Sequence, residues 1–156
     1  DTIAHQGLIY NLLSSHYMFD YANRRYAAHQ GNAPFTMTDE VWEEFVTTLP
    51  DTALHYESRL EKGLKDLKRV AREEGSMNEA TEAAFAGLSK ALQRDARQEL
   101  KQARPEIERF LVPMLAERYG FERAATAAEV SFDPAVRAAL DLLANPAEYH
   151  RLLRKQ

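Results

Sequence analysis

Cysteine is absent from this chain of 156 residues, which excludes disulfides, thiolate metal ligands and a cysteine nucleophile. No apolar run approaches the roughly 20 residues that a membrane-spanning helix requires. The net charge of −4 gives no general attraction to nucleic acid or to an anionic membrane. No glycine-rich phosphate loop is present, because the six glycines are scattered at positions 7, 31, 63, 75, 87 and 120. What remains is a globular composition, with 45% hydrophobic and 28% charged residues.

The histidines do not have the spacing of a metal-binding helical bundle. A di-iron bundle needs Glu-x-x-His pairs on facing helices, so that a carboxylate and an imidazole project inward together. No glutamate lies three residues before a histidine, and no two histidines are four apart; they are His5, His16, His29, His55 and His150. The spacing predicts neither a metal site nor a cofactor.

Ser14, Ser15, His16 and Asp20 are residue types found in catalytic triads. We expect them on one continuous helix, where adjacent side chains point in different directions. A helix interior also offers no strained turn for a nucleophile and no oxyanion hole. The sequence predicts polar residues on a packed helix here, and no catalytic residue.

Charged neighbours along the chain are expected to be solvated. This applies to the acidic pairs Glu43-Glu44 and Glu73-Glu74, and to the one basic cluster, which consists of Arg59, Lys62, Lys65, Lys68, Arg69 and Arg72. The alternative for the basic cluster is a docking surface for an acidic partner.

Aromatic residues are concentrated in the first third of the chain, where they could line a peptide groove. Core packing is the favoured interpretation for this set: Tyr17, Phe19, Tyr21, Tyr26, Phe35, Trp42 and Phe45. Gly63 and Gly87 lie inside predicted helices, where each costs about 1 kcal/mol relative to alanine. We interpret both as points of close helix–helix approach.

Apolar residues recur at helical spacing, and no stretch alternates with the period of two that a strand shows. One amphipathic helix is predicted from Gly7 to about Gln30, with Leu8, Leu12, Phe19, Ala22 and Tyr26 along one face. The turn Gly31-Asn32-Ala33-Pro34 and an extended segment at Phe35 follow. Thr38 or Asp39 is expected to cap a short helix that ends near Leu49-Pro50.

The next helix is predicted to begin at Asp51 or Thr52 and to end at a left-handed Gly75. Its apolar stripe contains Tyr56, Leu60, Leu64, Leu67 and Ala71. The short connection to the following segment predicts that the two helices pair antiparallel.

The longest helical run extends from Ser76 to Gly120. The capping box Ser76-Met77-Asn78-Glu79 should start it, Pro105 should break it and begin a second helix, and Pro113 should bend it. Two sets of apolar residues recur at helical spacing along this run: Phe85, Leu88 and Leu92, then Ile107, Leu111, Met114 and Leu115. Gly120 is placed to be the left-handed residue that ends the run.

Two start signals, Asp133-Pro134 and Asn145-Pro146, predict the last two helices. The first should bury Val136, Ala139, Leu140 and Leu143, and the second carries Tyr149 and Leu152. Together the patterns predict an all-α fold: an irregular bundle of about six helices built on an antiparallel long-helix hairpin, as one domain over residues 1–156.

The order of these segments resembles a known protease family. The stretches that carry the resemblance are Asp1-Thr2, Gly7-Leu8-Ile9-Tyr10, Phe19-Asp20-Tyr21-Ala22, the Phe35 segment, Trp42 with Phe45 and Val46, Tyr56 with Glu57 and Leu60, Arg118-Tyr119-Gly120, Asp133-Pro134-Ala135-Val136, Ala139, Leu142-Leu143, Asn145-Pro146 and Tyr149. They are similar to the C-terminal region of S41-family carboxyl-terminal processing proteases of the Bacteroidetes type. Where that family commonly has Tyr-Tyr, this chain has Tyr119-Gly120-Phe121.

The resemblance implies a non-catalytic C-terminal domain of a PDZ-containing serine endopeptidase exported to the cell envelope or periplasm. Its Ser–Lys dyad would lie in the preceding core, so no catalytic residue is carried over to this chain. Residues 1–6 would be the remnant of the linker from that core, since the chain opens on Asp1 rather than methionine. The partners implied are the protease core and PDZ domain, unstructured C-terminal tails as substrates of the parent, and a second copy.

Two other interpretations stay open on the sequence alone. One is a free-standing helical module that binds a partner protein in a groove. The other is a helical enzyme whose site is spread over several helices, although no acid, base or metal cluster anchors it.

Overall fold

The computed structural model describes residues 4–31 and 35–153. Within these ranges the chain forms nine α-helices, one 3-10 helix and no strand, which confirms the predicted all-α class. The α-helices are α1 (Gln6–Ser14), α2 (Tyr17–Ala28), α3 (Asp39–Thr48), α4 (Arg59–Glu73), α5 (Glu79–Ala91), α6 (Ala96–Gln102), α7 (Arg104–Ser131), α8 (Pro134–Ala144) and α9 (Pro146–Leu153), and the 3-10 helix is Asp51–Leu54.

The helices belong to two compact units that alternate along the sequence. The first contains Asp1–Tyr17 and Thr47–Glu106, and the second contains Met18–Val46 and Ile107–Gln156. Parts of three predicted features, namely the 1–6 linker, the Asn32-Ala33-Pro34 turn and the Leu152 side chain, fall outside the described residues.

In the first unit, α1 and α6 both contact the 3-10 helix. The Asn11 side chain on α1 donates to the Ala53 carbonyl at 2.8 Å. The Glu106 carboxylate accepts from the backbone N–H groups of Ala4 and His5 at 3.0 and 3.1 Å, which ties the start of the chain to the start of α7. The buried apolar side chains of this unit are Leu8, Ile9, Leu12, Ala53, Leu100 and Ala103.

The helices α4 and α5 contact each other across a five-residue connection, which makes them the predicted antiparallel pair. A Schellman motif ends α4: Gly75 has φ of +69°, and the N–H of Ser76 donates to the Ala71 carbonyl at 2.8 Å. The left-handed Gly75 is therefore confirmed. Neither α4 nor α5 contains a buried side chain.

The start predicted for α4 is wrong. Asp51 begins the short 3-10 helix, whereas α4 begins at Arg59 behind a capping box in which Ser58 and Glu61 exchange hydrogen bonds of 2.7 and 3.1 Å. Tyr56 consequently lies in the preceding loop and not on the α4 stripe.

The second unit is built around α2, α3 and the part of α7 that follows Glu106. Tyr21 donates its hydroxyl proton to the Val41 carbonyl at 2.9 Å, and its ring meets Phe45 edge-on with centroids 5.2 Å apart. The buried set is Met18, Tyr21, Ala22, Val41, Trp42, Phe45, Ile107, Leu111, Leu115 and Ala116. Core packing is thus confirmed for Tyr21, Trp42 and Phe45.

The single helix predicted from Gly7 to Gln30 is broken into α1 and α2. His16 adopts a left-handed φ of 62°, and its N–H donates to the Leu13 carbonyl at 3.0 Å. The break restarts the helical phase, so α2 buries Met18, Tyr21 and Ala22. Phe19 and Tyr26, which were predicted to be on the buried face, are exposed.

The run predicted from Ser76 to Gly120 is also divided. Helix α5 starts behind Asn78, which exchanges capping bonds with Thr81, because the backbone of Ser76 is already bonded to α4. Helix α5 ends at Ala91, and Asp95 caps α6 by accepting from the N–H groups of Arg97 and Gln98 at 3.0 Å. The break predicted before Pro105 is confirmed, because α7 starts at Arg104.

The backbone of α7 departs from helical geometry at Gly120 and Phe121, and not at Pro113. The prediction for Gly120 is wrong in one respect, because Phe121 and not the glycine has the positive φ, at 57°. Helix continues beyond this kink to Ser131. For a bulky residue such a φ is strained.

Helices α8 and α9 begin at Pro134 and Pro146 as predicted. Asp133 caps α8 by accepting from Ala135 N–H at 2.7 Å. The predicted buried face of α8 is wrong: Val136 is half-buried, whereas Ala139, Leu140 and Leu143 are exposed. Within the described residues, α8 contacts α9.

The predicted close approach at Gly63 and Gly87 is not found, since an added Cβ at either would have no heavy atom within 4 Å among the described residues. Gly7 is the glycine that a close approach requires. A Cβ at Gly7 would overlap the Tyr56 ring, so the absence of a side chain lets Tyr56 pack on α1.

The Gly7→Ala substitution should lower the free energy of unfolding by about 2 kcal/mol, because the Tyr56 ring must move. Gly63→Ala is the matched control: it adds the same methyl group in open space inside α4 and should raise stability by about 1 kcal/mol. Urea unfolding of both variants checks the pair. Equal effects of the two substitutions would show that the Gly7–Tyr56 contact is not constraining.

Candidate functional site

No group of three or more His, Cys, Asp or Glu side chains in the described ranges could hold a metal ion. Individual histidines have other partners. The His5 ring faces Glu106 at 3.3 Å, the His55 ring faces the Asp51 carbonyl at 2.6 Å, and the His150 ring contacts Tyr149.

The triad residue types do not assemble into a nucleophilic centre. Ser14 is the last residue of α1, and Ser15 and His16 form the break before α2, whereas one continuous helix was predicted; all three are exposed. The Ser14 hydroxyl donates to the Asn11 carbonyl at 3.5 Å and not to His16. The residues described here therefore provide no activated serine at this turn.

Most of the charged neighbours are solvated, as the sequence predicts. Glu43, Glu73 and Glu74 are exposed, and Glu44 is half-buried in an ion pair with Arg25. Glu73 pairs with Arg69 at 2.9 Å along α4. None of these pairs has the buried, unequal environments that separate a catalytic acid from a base.

A cluster of polar groups in the described part of the first unit surrounds Arg94, in the turn between α5 and α6. Arg94 Nη1 donates to Glu99 Oε2 at 2.8 Å. Its Nη2 donates to the Tyr56 carbonyl at 2.7 Å and faces Glu61 Oε2 at 3.4 Å. The guanidinium carbon lies 4.1 Å from the Tyr56 ring centroid, and the Tyr56 hydroxyl donates to Glu99 Oε1 at 2.6 Å. We call these four residues the Arg94 cluster.

A cavity of about 470 Å³ opens beside the Arg94 cluster, with Leu54, His55, Glu57, Leu64, Lys65, Ser89 and Gln93 among its lining residues. Its charged groups are already paired, since Lys65 donates to Glu57 at 2.6 Å and both terminal nitrogens of Arg94 donate to chain groups. A ligand would have to displace these bonds. The arrangement is that of a structural anchor, which joins the loop before α4 to the start of α6.

Electrostatics agree with an anchoring role. Burial, together with the hydrogen bond to Glu99 and the negative charge of that group, raises the pKa of Tyr56 from 10.0 to about 12. Hydrogen bonds from the Ser58 backbone and side chain lower the pKa of Glu61 below its usual value of 4.5. Tyr56 is thus kept protonated and Glu61 ionised, each in the state that its bonds require.

In the second unit, Arg118 and Tyr119 attach the middle of α7 to α2. The Tyr119 hydroxyl donates to the His29 carbonyl at 2.9 Å, and the Tyr119 ring contacts both Tyr26 and Phe35. Arg118 Nε donates to Asn23 at 3.0 Å. Tyr26 and Phe35, which lie outside the buried core, therefore pack around this corner of the helix, just before the kink.

Large apolar side chains remain exposed on two helices that bury nothing. On α4, Leu60 and Leu67 are 58% and 57% exposed, and on α8, Leu140 and Leu143 are 60% and 63% exposed. The predicted basic cluster also lies on α4, where Lys65 and Arg69 pair with acidic neighbours. Surfaces of this kind are suited to contact with another protein.

Comparison with known proteins identifies the family. Residues 8–143 match the family model described as "Probable PDZ-protease, C-terminal helical domain". The chain belongs to this family. No curated protein and no solved structure matches it. The all-helical structure of the described residues agrees with membership of this family of helical domains. None of the described helices is long and apolar enough to cross a membrane.

Sequence reasoning missed the Arg94 cluster, although local signals pointed toward it. Asp95-Ala96-Arg97-Gln98 follows the capping-box pattern and marks a helix start after Arg94, as Ser58-Arg59-Leu60-Glu61 does for α4. These signals place Arg94 and Tyr56 in loops. They give no indication that residues 38 positions apart meet.

Replacing Arg94 with methionine should lower the free energy of unfolding by about 3 kcal/mol, because Glu99 and the Tyr56 carbonyl lose a charged donor in a part-buried site. Arg97→Met, on the exposed side of α6, is the control and should change stability by less than about 0.5 kcal/mol. Chemical denaturation measures both. Equal losses of stability in the two variants would contradict the anchoring role of Arg94.

The raised pKa of Tyr56 predicts a dependence of stability on alkaline pH. The unfolded chain loses this proton near pH 10 and the folded chain near pH 12, so stability is fully present below about pH 10 and falls as pH rises toward about 12. Tyr56→Phe should show a shallower fall over this window in urea titrations. Tyr10→Phe, on a 73% exposed ring, is the control and should keep the wild-type slope. A Tyr56→Phe slope equal to that of the wild type would contradict the assignment.

Proposed function

We propose that this chain is the non-catalytic C-terminal helical domain of an S41-type carboxyl-terminal processing serine endopeptidase. The observation that carries the proposal is the family match over residues 8–143. The finer assignment to the S41 type rests in addition on the resemblance of segments such as Arg118-Tyr119-Gly120 and Asn145-Pro146 to that family. In this proposal a Ser–Lys dyad in the preceding core performs the hydrolysis.

The proposed contribution of the domain is to pack on the protease core and to gate or present unstructured C-terminal tails, or to mediate self-association. The uncovered apolar faces of α4 and α8 support contact with other protein surfaces, because exposed stripes of this size are otherwise unfavourable in water. We also propose that the parent acts in the cell envelope, on the basis of the resemblance alone.

A free-standing helical interaction module is the alternative. It requires the same exposed helix faces but no peptidase in the same reading frame. The gene context of the chain separates the two, because our proposal requires a PDZ domain and a Ser–Lys core upstream.

The deciding experiment compares peptide hydrolysis by this chain with hydrolysis by the full-length protein, on an unstructured tail that ends in apolar residues. We expect an inactive chain and an active parent. A parent that lacks this domain should cleave with altered rate or selectivity if the domain gates or presents tails. Hydrolysis by the chain alone that survives repurification would overturn the proposal and return attention to Ser14, Ser15 and His16.

A further inference from the structure

We infer that Gly120 and Phe121 form a hinge, at which α7 exchanges between the kinked form of this structure and a continuous helical form. The inference concerns the second unit and does not depend on the proposed function. The hinge divides this part of α7 into a first limb, residues 107–119, and a second limb, residues 122–131. The second limb leads into α8, so a change at the hinge would turn the exposed leucines of that helix in a new direction.

The backbone of Phe121 is strained. Its φ and ψ are 57° and −166°, close to a region of backbone space that is populated almost only by glycine. The neighbouring Gly120, which could adopt such angles without strain, has a negative φ of −147°. The strain therefore falls on the bulky residue, and strain of this kind is concentrated in segments that switch between states.

The ring of Phe121 does not hold the kink in place. Its side chain is 83% exposed, and within the described residues it has no ring contact with an aromatic group or a cation. A helical φ at Phe121 would consequently break no ring contact. The kink must be maintained by the limbs on either side of it.

The first limb is fixed up to the residue before the hinge. Its apolar side chains Ile107, Leu111 and Leu115 are buried. At its end, the Tyr119 hydroxyl donates to the His29 carbonyl at 2.9 Å. These contacts hold the first limb against the rest of the second unit, so it is the second limb that would move.

The second limb is held by far less packing. Among the described residues, no side chain from Phe121 to Ala144 is buried. Helix α8 is attached to the end of this limb, because Arg137 Nε donates to the Ser131 carbonyl at 2.8 Å. The second limb and α8 can therefore turn together without uncovering a buried core.

Both limbs line one cavity of about 390 Å³ in the kinked form. Arg109 and Met114 of the first limb and Thr126 and Glu129 of the second limb are among its lining residues. At 1.5 Å per residue, a continuous helix would hold Arg109 and Glu129 about 30 Å apart, which is too far for them to share this cavity. The continuous form would therefore open the cavity.

Opposing preferences act on the two forms. The continuous form relieves the strain at Phe121 but places Gly120 inside a helix, where glycine is less favourable than alanine. The kinked form keeps the two limbs together. No proline lies between Pro113 and Pro134, so the sequence of this segment permits a continuous helix. A partner that bound one form more tightly would shift the population toward that form.

Spin labels at positions 109 and 129 test the inference. The chain has no cysteine, so Arg109→Cys with Glu129→Cys provides two defined attachment sites. We expect double electron–electron resonance to report a major population at the short distance of the shared cavity and a minor one at about 30 Å. Circular dichroism of the labelled and unlabelled chains checks that the labels leave the helices intact.

Substitutions at the two hinge residues should shift these populations in opposite directions. Gly120→Ala should raise the 30 Å population about fivefold, as expected from the difference in helix preference between glycine and alanine. Phe121→Gly should remove that population, because glycine adopts the kinked angles without strain and disfavours the helix. Gly87→Ala, the same change inside α5 at a site where an added Cβ meets nothing within 4 Å in the described part of the chain, is the control and should leave the distances unchanged.

A single short distance that neither hinge substitution alters would overturn the inference, because the kink would then be fixed. A continuous spread of distances would also overturn it, because the segment would then be a flexible joint without two defined forms. The Phe121→Gly measurement decides the question even if Gly120→Ala does not fold. Since the labels report distances and not hydrolysis, an inactive parent contradicts the proposed function alone, and a fixed kink contradicts the hinge alone.

Discussion

The bonds of the Arg94 guanidinium are the interaction on which the first unit depends. One planar cation bonds the Tyr56 carbonyl and Glu99, faces Glu61 at the start of α4, and covers the Tyr56 ring. That ring in turn occupies the space that Gly7 leaves open on α1. Because the chain has no cysteine, no covalent bridge could replace these links. A side chain outside every helix thus joins three separate stretches of sequence, around Gly7, from Tyr56 to Glu61 and from Arg94 to Glu99.

Capping residues in the sequence predicted the helix ends correctly where only one candidate cap was present. Gly75, Asp133-Pro134 and Pro146 function as expected because caps depend on residues within one turn. Prediction failed where two caps competed. Ser76 and Asn78 are both acceptable N-caps, but the Schellman bond from Ser76 to α4 leaves only Asn78 available. The choice depends on the preceding helix, which a local pattern does not record.

Periodicity predicted which residues share a face but not which faces are covered. The stripes of α1 and α7 are buried and those of α4 and α8 are not, although all have similar spacing. The spacing of apolar residues along a helix is the same whether its apolar face is buried by this chain or by a partner protein. Phe19 was misplaced for a different reason, since the left-handed His16 restarts the helical phase in a way that spacing alone does not reveal. The Arg94 cluster depends on long-range contacts and was not predictable from motifs.

Helices α4 and α5, which bury no side chain, are connected to the core of the first unit through the Arg94 cluster. Each leucine left in water forgoes about 1.5–3 kcal/mol of burial. A partner that covered the α4 stripe would supply that stabilisation to the hairpin. Glu61 caps α4 and faces Arg94, which contacts Tyr56 beside α1 and Glu99 on α6. Docking at α4 would therefore favour one arrangement of the whole first unit, because the capping carboxylate of the docked helix also belongs to the cluster that orders the core.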